Sequence, residues 1–168
     1  MSSRRRTFLR RLSAACAIPA ALLGMGGVNS AYAGVRQGRS ARNKVALKTA
    51  KLAPPIGPFS QGIRTGNTVY VAGLTGIDVK TGKVVPGGIA AETRQALENV
   101  KAVLAEAGAT LDDAVSSVVH MVDLSEFQQM NQVYGEYFKV DPPGRTTVQV
   151  VAIPAGARVE ITIVATVA

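Results

Sequence analysis

The sequence predicts an α+β domain, one sheet with two helices on a single face. Three observations carry this. Thr68 to Ala72 and Arg158 to Val167 alternate apolar and polar residues with the period of a half-buried strand. Leu97, Val100, Leu104 and Ala107 recur at the spacing of an amphipathic helix. The elements then fall in the order strands, helix, strand, helix, strand, strand, with no internal repeat of short period.

Taken in order, Val45 to Leu52 alternates weakly and reads as a first strand. Ala53-Pro54-Pro55-Ile56-Gly57-Pro58 is stiff and irregular, and Phe59 to Arg64 reads as a short second strand. Gly66-Asn67 signals a tight turn into the Thr68 to Ala72 strand. The glycine-rich stretch from Gly73 to Gly88 contains a turn at Asp78 to Gly82. A helix is expected over Ile89 to Gly108. Thr93, Ala96 and Val103 widen its apolar face, Glu92, Gln95, Glu98, Lys101 and Glu106 turn outward, and Gly108 stops it. Leu111-Asp112-Asp113 opens the next unit. Val115 to Leu124 is a strand that places Val118, His120, Val122 and Leu124 on one side. Ser125 is the expected cap of a second helix, Glu126 to Phe138, with a stripe of Phe127, Met130, Tyr134 and Tyr137. Thr146 to Ile153 is a strand, Pro154 to Ala157 turns, and Arg158 to Val167 is the last strand. Two helices cover one sheet face only. A bare face of Val and Ile is prone to aggregate, so a symmetric oligomer is expected to bury the other.

Residues 1–33 have the layout of an export signal. Arg4, Arg5, Arg6, Arg10 and Arg11 form a basic start, Leu12 to Met25 is apolar, and Ala31-Tyr32-Ala33 offers a small-residue cleavage pattern. Arg5-Arg6-Thr7-Phe8-Leu9-Arg10 resembles a twin-arginine signal. The apolar run falls short of the roughly 20 residues of a spanning helix. Cleavage after Ala33 and a periplasmic or secreted product are expected, with no membrane attachment afterwards. Residues 34–44, rich in Gly, Arg and Ser, read as a flexible linker, and 45–168 as the folded domain.

Five of the 19 basic residues, and none of the 11 acidic ones, sit in residues 1–33, leaving 14 basic against 11 acidic. Most of the basic character therefore belongs to targeting, and nucleic-acid binding loses its main compositional support. The single cysteine, Cys16, leaves with the signal, so the rest of the chain has no thiol nucleophile or disulfide. A single histidine, His120, argues against a histidine-based metal site or a Ser-His-Asp triad. His120 itself reads as sheet packing or surface.

Pro142-Pro143-Gly144-Arg145-Thr146-Thr147 is the stretch that points to chemistry. The prolines stiffen the approach to a β-run and deliver Arg145 to its mouth. A guanidinium held this way offers a fork of donors matched to a carboxylate. By local sequence alone it reads first as a surface charge ending a loop.

Several motifs change that weighting. Ala53-Pro54-Pro55-Ile56-Gly57-Pro58-Phe59-Ser60-Gln61-Gly62, Gly66-Asn67-Thr68-Val69-Tyr70-Val71-Ala72-Gly73 and Thr93 to Val100 are three of them. Asn131-Gln132-Val133-Tyr134, Pro142 to Thr147 and Val159-Glu160-Ile161 complete the set. From about Val45 to the C-terminus, in order and spacing, they resemble the RidA/YjgF family of enamine/imine deaminases. The resemblance implies a chorismate-mutase-like mixed sheet with two helices on one face, assembled as a homotrimer with sites at the subunit interfaces. It implies hydrolysis of a small 2-imino acid to a 2-keto acid and ammonia, with no cofactor and no metal.

Carried onto this chain, Arg145 would bind the substrate carboxylate and Glu160 would orient or activate water. Asn131, Gly73 and Thr147 would line the pocket, Gly73 by close backbone approach and Thr147 through its backbone. Phe59 stands where most members carry a tyrosine, and Ala72 replaces a usual serine, so two hydroxyls are lost. That departure favours bulkier or more apolar substrates. It also keeps open a non-catalytic small-molecule binder or a chaperone-like trimer of the same family.

Overall fold

The computed structural model describes residues 43–168. The expected export signal and most of the expected linker lie outside the described residues. Six strands form one sheet: β1 (Lys44–Leu47), β2 (Gly62–Thr65), β3 (Thr68–Thr75), β4 (Ala114–Met121), β5 (Gly144–Gln149) and β6 (Val159–Thr166), in the spatial order β1-β2-β3-β6-β4-β5. All neighbours are antiparallel except β4 and β5. That parallel pair needs a crossover, which α2 (Phe127–Tyr137) supplies. The longer helix, α1 (Gly88–Ala105), lies between β3 and β4 in the chain.

The core is the layer between the two helices and one face of the sheet. From α1 it takes Ile89, Leu97, Val100 and Leu104, and from the sheet Val69, Val71, Val119, Met121, Ile161 and Ile163, all nearly or fully buried. Each such side chain contributes about 1.5–3 kcal/mol relative to exposure. α1 ends because Gly108 takes φ 73°, and the Ala109 N–H reaches back to the Leu104 carbonyl at 3.0 Å. The turn at Asp78 forms as its residues dictate. Its carboxylate accepts the Lys80 N–H at 2.6 Å, and its carbonyl accepts the Gly82 N–H at 2.8 Å.

Several boundaries differ from expectation, each for a local reason. The first strand stops at Leu47 because Thr49 leaves the sheet for Gln61, whose side chain accepts the Thr49 N–H at 2.7 Å and donates to its carbonyl at 3.3 Å. The second strand starts only at Gly62. The fourth ends at Met121, since Asp123, not Ser125, does the capping: its carboxylate accepts the Ser125 N–H at 2.8 Å and a short 3-10 turn precedes α2. In α2 the buried positions are Met130, Val133 and Tyr134, with Phe127 and Tyr137 packed at the margin. β5 begins at Gly144 and stops at Gln149, so Arg145 lies inside the strand instead of at its mouth.

Glu92 was expected to face outward. It is buried, because the chain before β6 needs an acceptor there: its carboxylate takes the Arg158 N–H at 2.7 Å, and Gly76 leaves room for the helix backbone at this point. Val118 and His120 share a face as the alternation requires, but the core takes the opposite set, Ser117, Val119 and Met121. No helix of the described residues covers the face that carries Tyr70, His120, Val148 and Glu160.

Candidate active site

A cleft of about 380 Å³ opens where the irregular 52–59 segment, β3, β6 and the Pro154–Gly156 turn meet. Glu160 of β6 is the only ionisable side chain among its lining residues; most of the others are apolar, including Leu52, Ile56, Phe59, Ala72 and Leu74. Glu160 stands opposite Thr75 of β3, just past an irregularity between Val71 and Leu74 that includes Gly73. A Cβ on Gly73 would fall 2.5 Å from the Glu160 carboxyl carbon. Gly73 is thus a strand glycine whose missing side chain makes room for the carboxylate, not a turn residue.

Two residues that sequence reasoning did not single out shape this cleft. Asn99, buried in α1, donates to the carbonyls of Thr75 and Ile77, both at 2.9 Å, and so pins the end of β3. Gln61, also buried, ties the 49–53 segment to the sheet. An amide on the inward face of α1 was the available signal for the first. Ala155 lines the cleft with φ 60°, a left-handed conformation unusual for alanine.

The remaining expected residues form a second cluster. Arg145 donates through Nη2 to the side-chain Oδ1 of Asn131 at 2.7 Å. Its guanidinium lies 4.5 Å from the Tyr134 ring centre and 5.8 Å from that of Phe127, within cation–π range. The β4–β5 register sets Arg145 beside Ser117 and Thr147 beside Val119. Arg145 is half-buried and has no carboxylate partner among the described residues, which leaves donors of its fork free. Beneath it the hydroxyls of Ser117, Tyr134 and Thr147 are buried, and that of Thr147 has no hydrogen-bond partner among the described residues. Burial pushes the Tyr134 phenol above its ordinary value, while the Ser117 hydroxyl beside it and the Arg145 charge pull the other way.

Within one chain these clusters do not meet. Arg145 pairs with Ser117, on the helix-packed face of the sheet. Glu160 pairs with His120, on the uncovered face. The structure brings Glu160, Gly73 and Phe59 together around one cleft, and Arg145 and Asn131 together, with Thr147 two residues on in the same strand.

The family described as endoribonuclease L-PSP matches residues 50–167. The chain belongs to this family, RidA/YjgF. Its two helices and six-stranded mixed sheet match solved structures of the family. A RutC family protein of Saccharolobus solfataricus is 44% identical over 122 residues, covering 73% of this chain and 97% of that one. The human 2-iminobutanoate/2-iminopropanoate deaminase is 40% identical over 119 residues, 71% of this chain and 87% of the relative. Among solved structures, Escherichia coli TdcF with bound serine superposes with a TM-score of 0.71 at 31% identity, over 74% of this chain and 99% of TdcF.

Among the described residues of this RidA family member, no three His, Cys, Asp or Glu side chains stand close enough together to hold a metal ion. No described helix is long and apolar enough to cross a membrane.

Proposed function

We propose that the protein hydrolyses small 2-imino acids to 2-keto acids and ammonia, in sites completed between copies of a homotrimer. The observation that carries this is the division of the site. Arg145 waits without an anionic partner on one face, and Glu160 lines an apolar cleft on the other. A second copy that lays its Arg145 side against the first copy's uncovered face would unite a carboxylate clamp with a base. The human relative's name supports the reaction class.

The chemistry then follows from the side chains. The Arg145 fork binds the substrate carboxylate in a bidentate manner and fixes the imine carbon. Asn131 holds the guanidinium in plane. Glu160 orients water and accepts its proton as oxygen bonds to carbon. The carbinolamine collapses, the C–N bond breaks, and the proton leaves with ammonia. For the iminium form, one imino acid and one water give one keto acid and one ammonium. Phe59, Leu52 and Leu74 make the cleft apolar, which suits substrates with larger hydrocarbon side chains. We further propose that the chain is exported by the residues 1–33 signal, so its imines would arise outside the cytoplasm.

The test is ammonia release and loss of semicarbazide-trappable imine, with 2-iminopropanoate and bulkier imines generated by an amino-acid oxidase. Acceleration by the wild type that vanishes in Arg145→Ala is expected. No acceleration with any imine by well-folded protein would overturn the reading. A non-catalytic binder is the second reading, favoured by Phe59 and Ala72, which bring no hydroxyl to the cleft. It predicts saturable binding of 2-keto or amino acids without turnover. Cell fractionation tests the export proposal, and a cytoplasmic product would defeat it.

A further inference from the structure

Among the described residues, Glu160 has one ionic neighbour. His120 Nδ1 lies 3.4 Å from Glu160 Oε1, and both side chains are about one-quarter to one-third exposed, at 32% and 26%. The two residues are direct cross-strand partners in the β4–β6 register. The other elements around the carboxylate meet it with neutral groups. β3 brings Ala72 to Thr75, and the Pro154–Gly156 turn brings Pro154 and Ala155. The 52–59 segment adds no charge. Lys80 and Lys83, on the turn beyond Ile77, form no ion pair with Glu160. Arg158, two residues before it, is taken up by Glu126 at 2.8 Å and Glu92 at 3.7 Å. Around His120 on the same face stand Val118 and Val148, both uncharged.

We propose that His120 is the positioning residue of Glu160. Its ring N–H donates to one carboxylate oxygen and leaves the other as the basic oxygen that orients water. This rests on the deaminase reading above. At 3.4 Å the two groups are in contact, at a separation long for a hydrogen bond, and catalytic hydrogen bonds in unliganded sites are often long or poorly aligned. A spacer of equal size would fill the same place without offering the carboxylate a donor.

Two variants and one spectroscopic measurement test this. His120→Phe keeps the bulk and removes the donor. Its kcat is expected to fall on the order of 10- to 100-fold with KM little changed, since Arg145 still binds the carboxylate. His120→Asn keeps a donor and should recover most of kcat. A His120→Phe protein with wild-type kcat, or a His120→Asn protein no better than His120→Phe, would overturn the proposal.

The NMR measurement separates this outcome from failure of the deaminase reading. His120 is the only histidine in the chain, so its ring proton can be followed without assignment. Its ring signals should move in Glu160→Gln, where the carboxylate beside the ring is gone. Unmoved signals would overturn the pairing whatever the activity. Absence of turnover in wild type beside a clear shift would instead count against the deaminase.

Discussion

The carboxyl carbon of Glu160 occupies the space that a side chain on residue 73 would need, 2.5 Å from the position of its Cβ. The clash is with the far end of a flexible side chain, so the chain can relieve it by swinging Glu160 aside. Gly73→Ala should therefore fold, with a melting temperature close to wild type, and lose activity on the order of 100-fold. Thermal melts and imine turnover on the same sample check this. A variant that keeps full turnover would separate Glu160 from the reaction.

Arg145→Lys tests the fork. A lysine keeps the charge but donates as a point and cannot lie flat against the Tyr134 ring. The loss of charge-assisted bidentate bonding, about 1.5–3 kcal/mol, corresponds to roughly a 10- to 100-fold rise in KM. Steady-state kinetics with one imine across both proteins is the measurement. An unchanged KM would place carboxylate recognition elsewhere.

The unpartnered Thr147 hydroxyl below Arg145 makes a stability prediction. Thr147→Val removes a buried oxygen that has no partner among the described residues. It should be neutral or stabilising by up to about 1 kcal/mol in urea denaturation. A loss of more than that would show that water or a second copy supplies the missing partner.

Tyr137 sets an alkaline prediction. Its phenol is pushed up, first by burial and then by the bond it donates to Glu98 at 2.9 Å. A raised value means that the neutral form is favoured in the folded state. Its stabilisation is complete below the ordinary phenol value of about 10 and is lost as pH rises above it. Melting temperature should fall in that window for wild type, and fall less for Tyr137→Phe. Identical slopes would show that the bond to Glu98 carries no stability.

The sequence made the helices legible because their determinants are local. Leu97, Val100 and Leu104 declare α1 through spacing, and Gly108 ends it. The strands were legible in number but not in extent. Arg145 belongs to β5 only because Ser117, 28 positions earlier, stands beside it, and a parallel partner leaves no mark on the sequence next to it. Glu92 misled because polarity on a helix reads as outward, while the Arg158 N–H that holds it lies 66 positions away. Arg145 stood out through the prolines before it, and Asn131, Glu160 and Gly73 were singled out as candidates through motifs. His120 was not, because alternation assigns a side chain to a face without naming its neighbour across the sheet; only the β4–β6 register does that.

The opposite-face placement of Arg145 and Glu160 also has a genetic meaning. In a homotrimer built as proposed, a subunit lacking the arginine and a subunit lacking the carboxylate are damaged in different half-sites, each keeping the half the other has lost. Mixed in one assembly, they would leave some interfaces with an intact arginine facing an intact carboxylate. Two inactive alleles of one gene would then restore part of the activity when expressed together. Two alleles damaged in the same half would not.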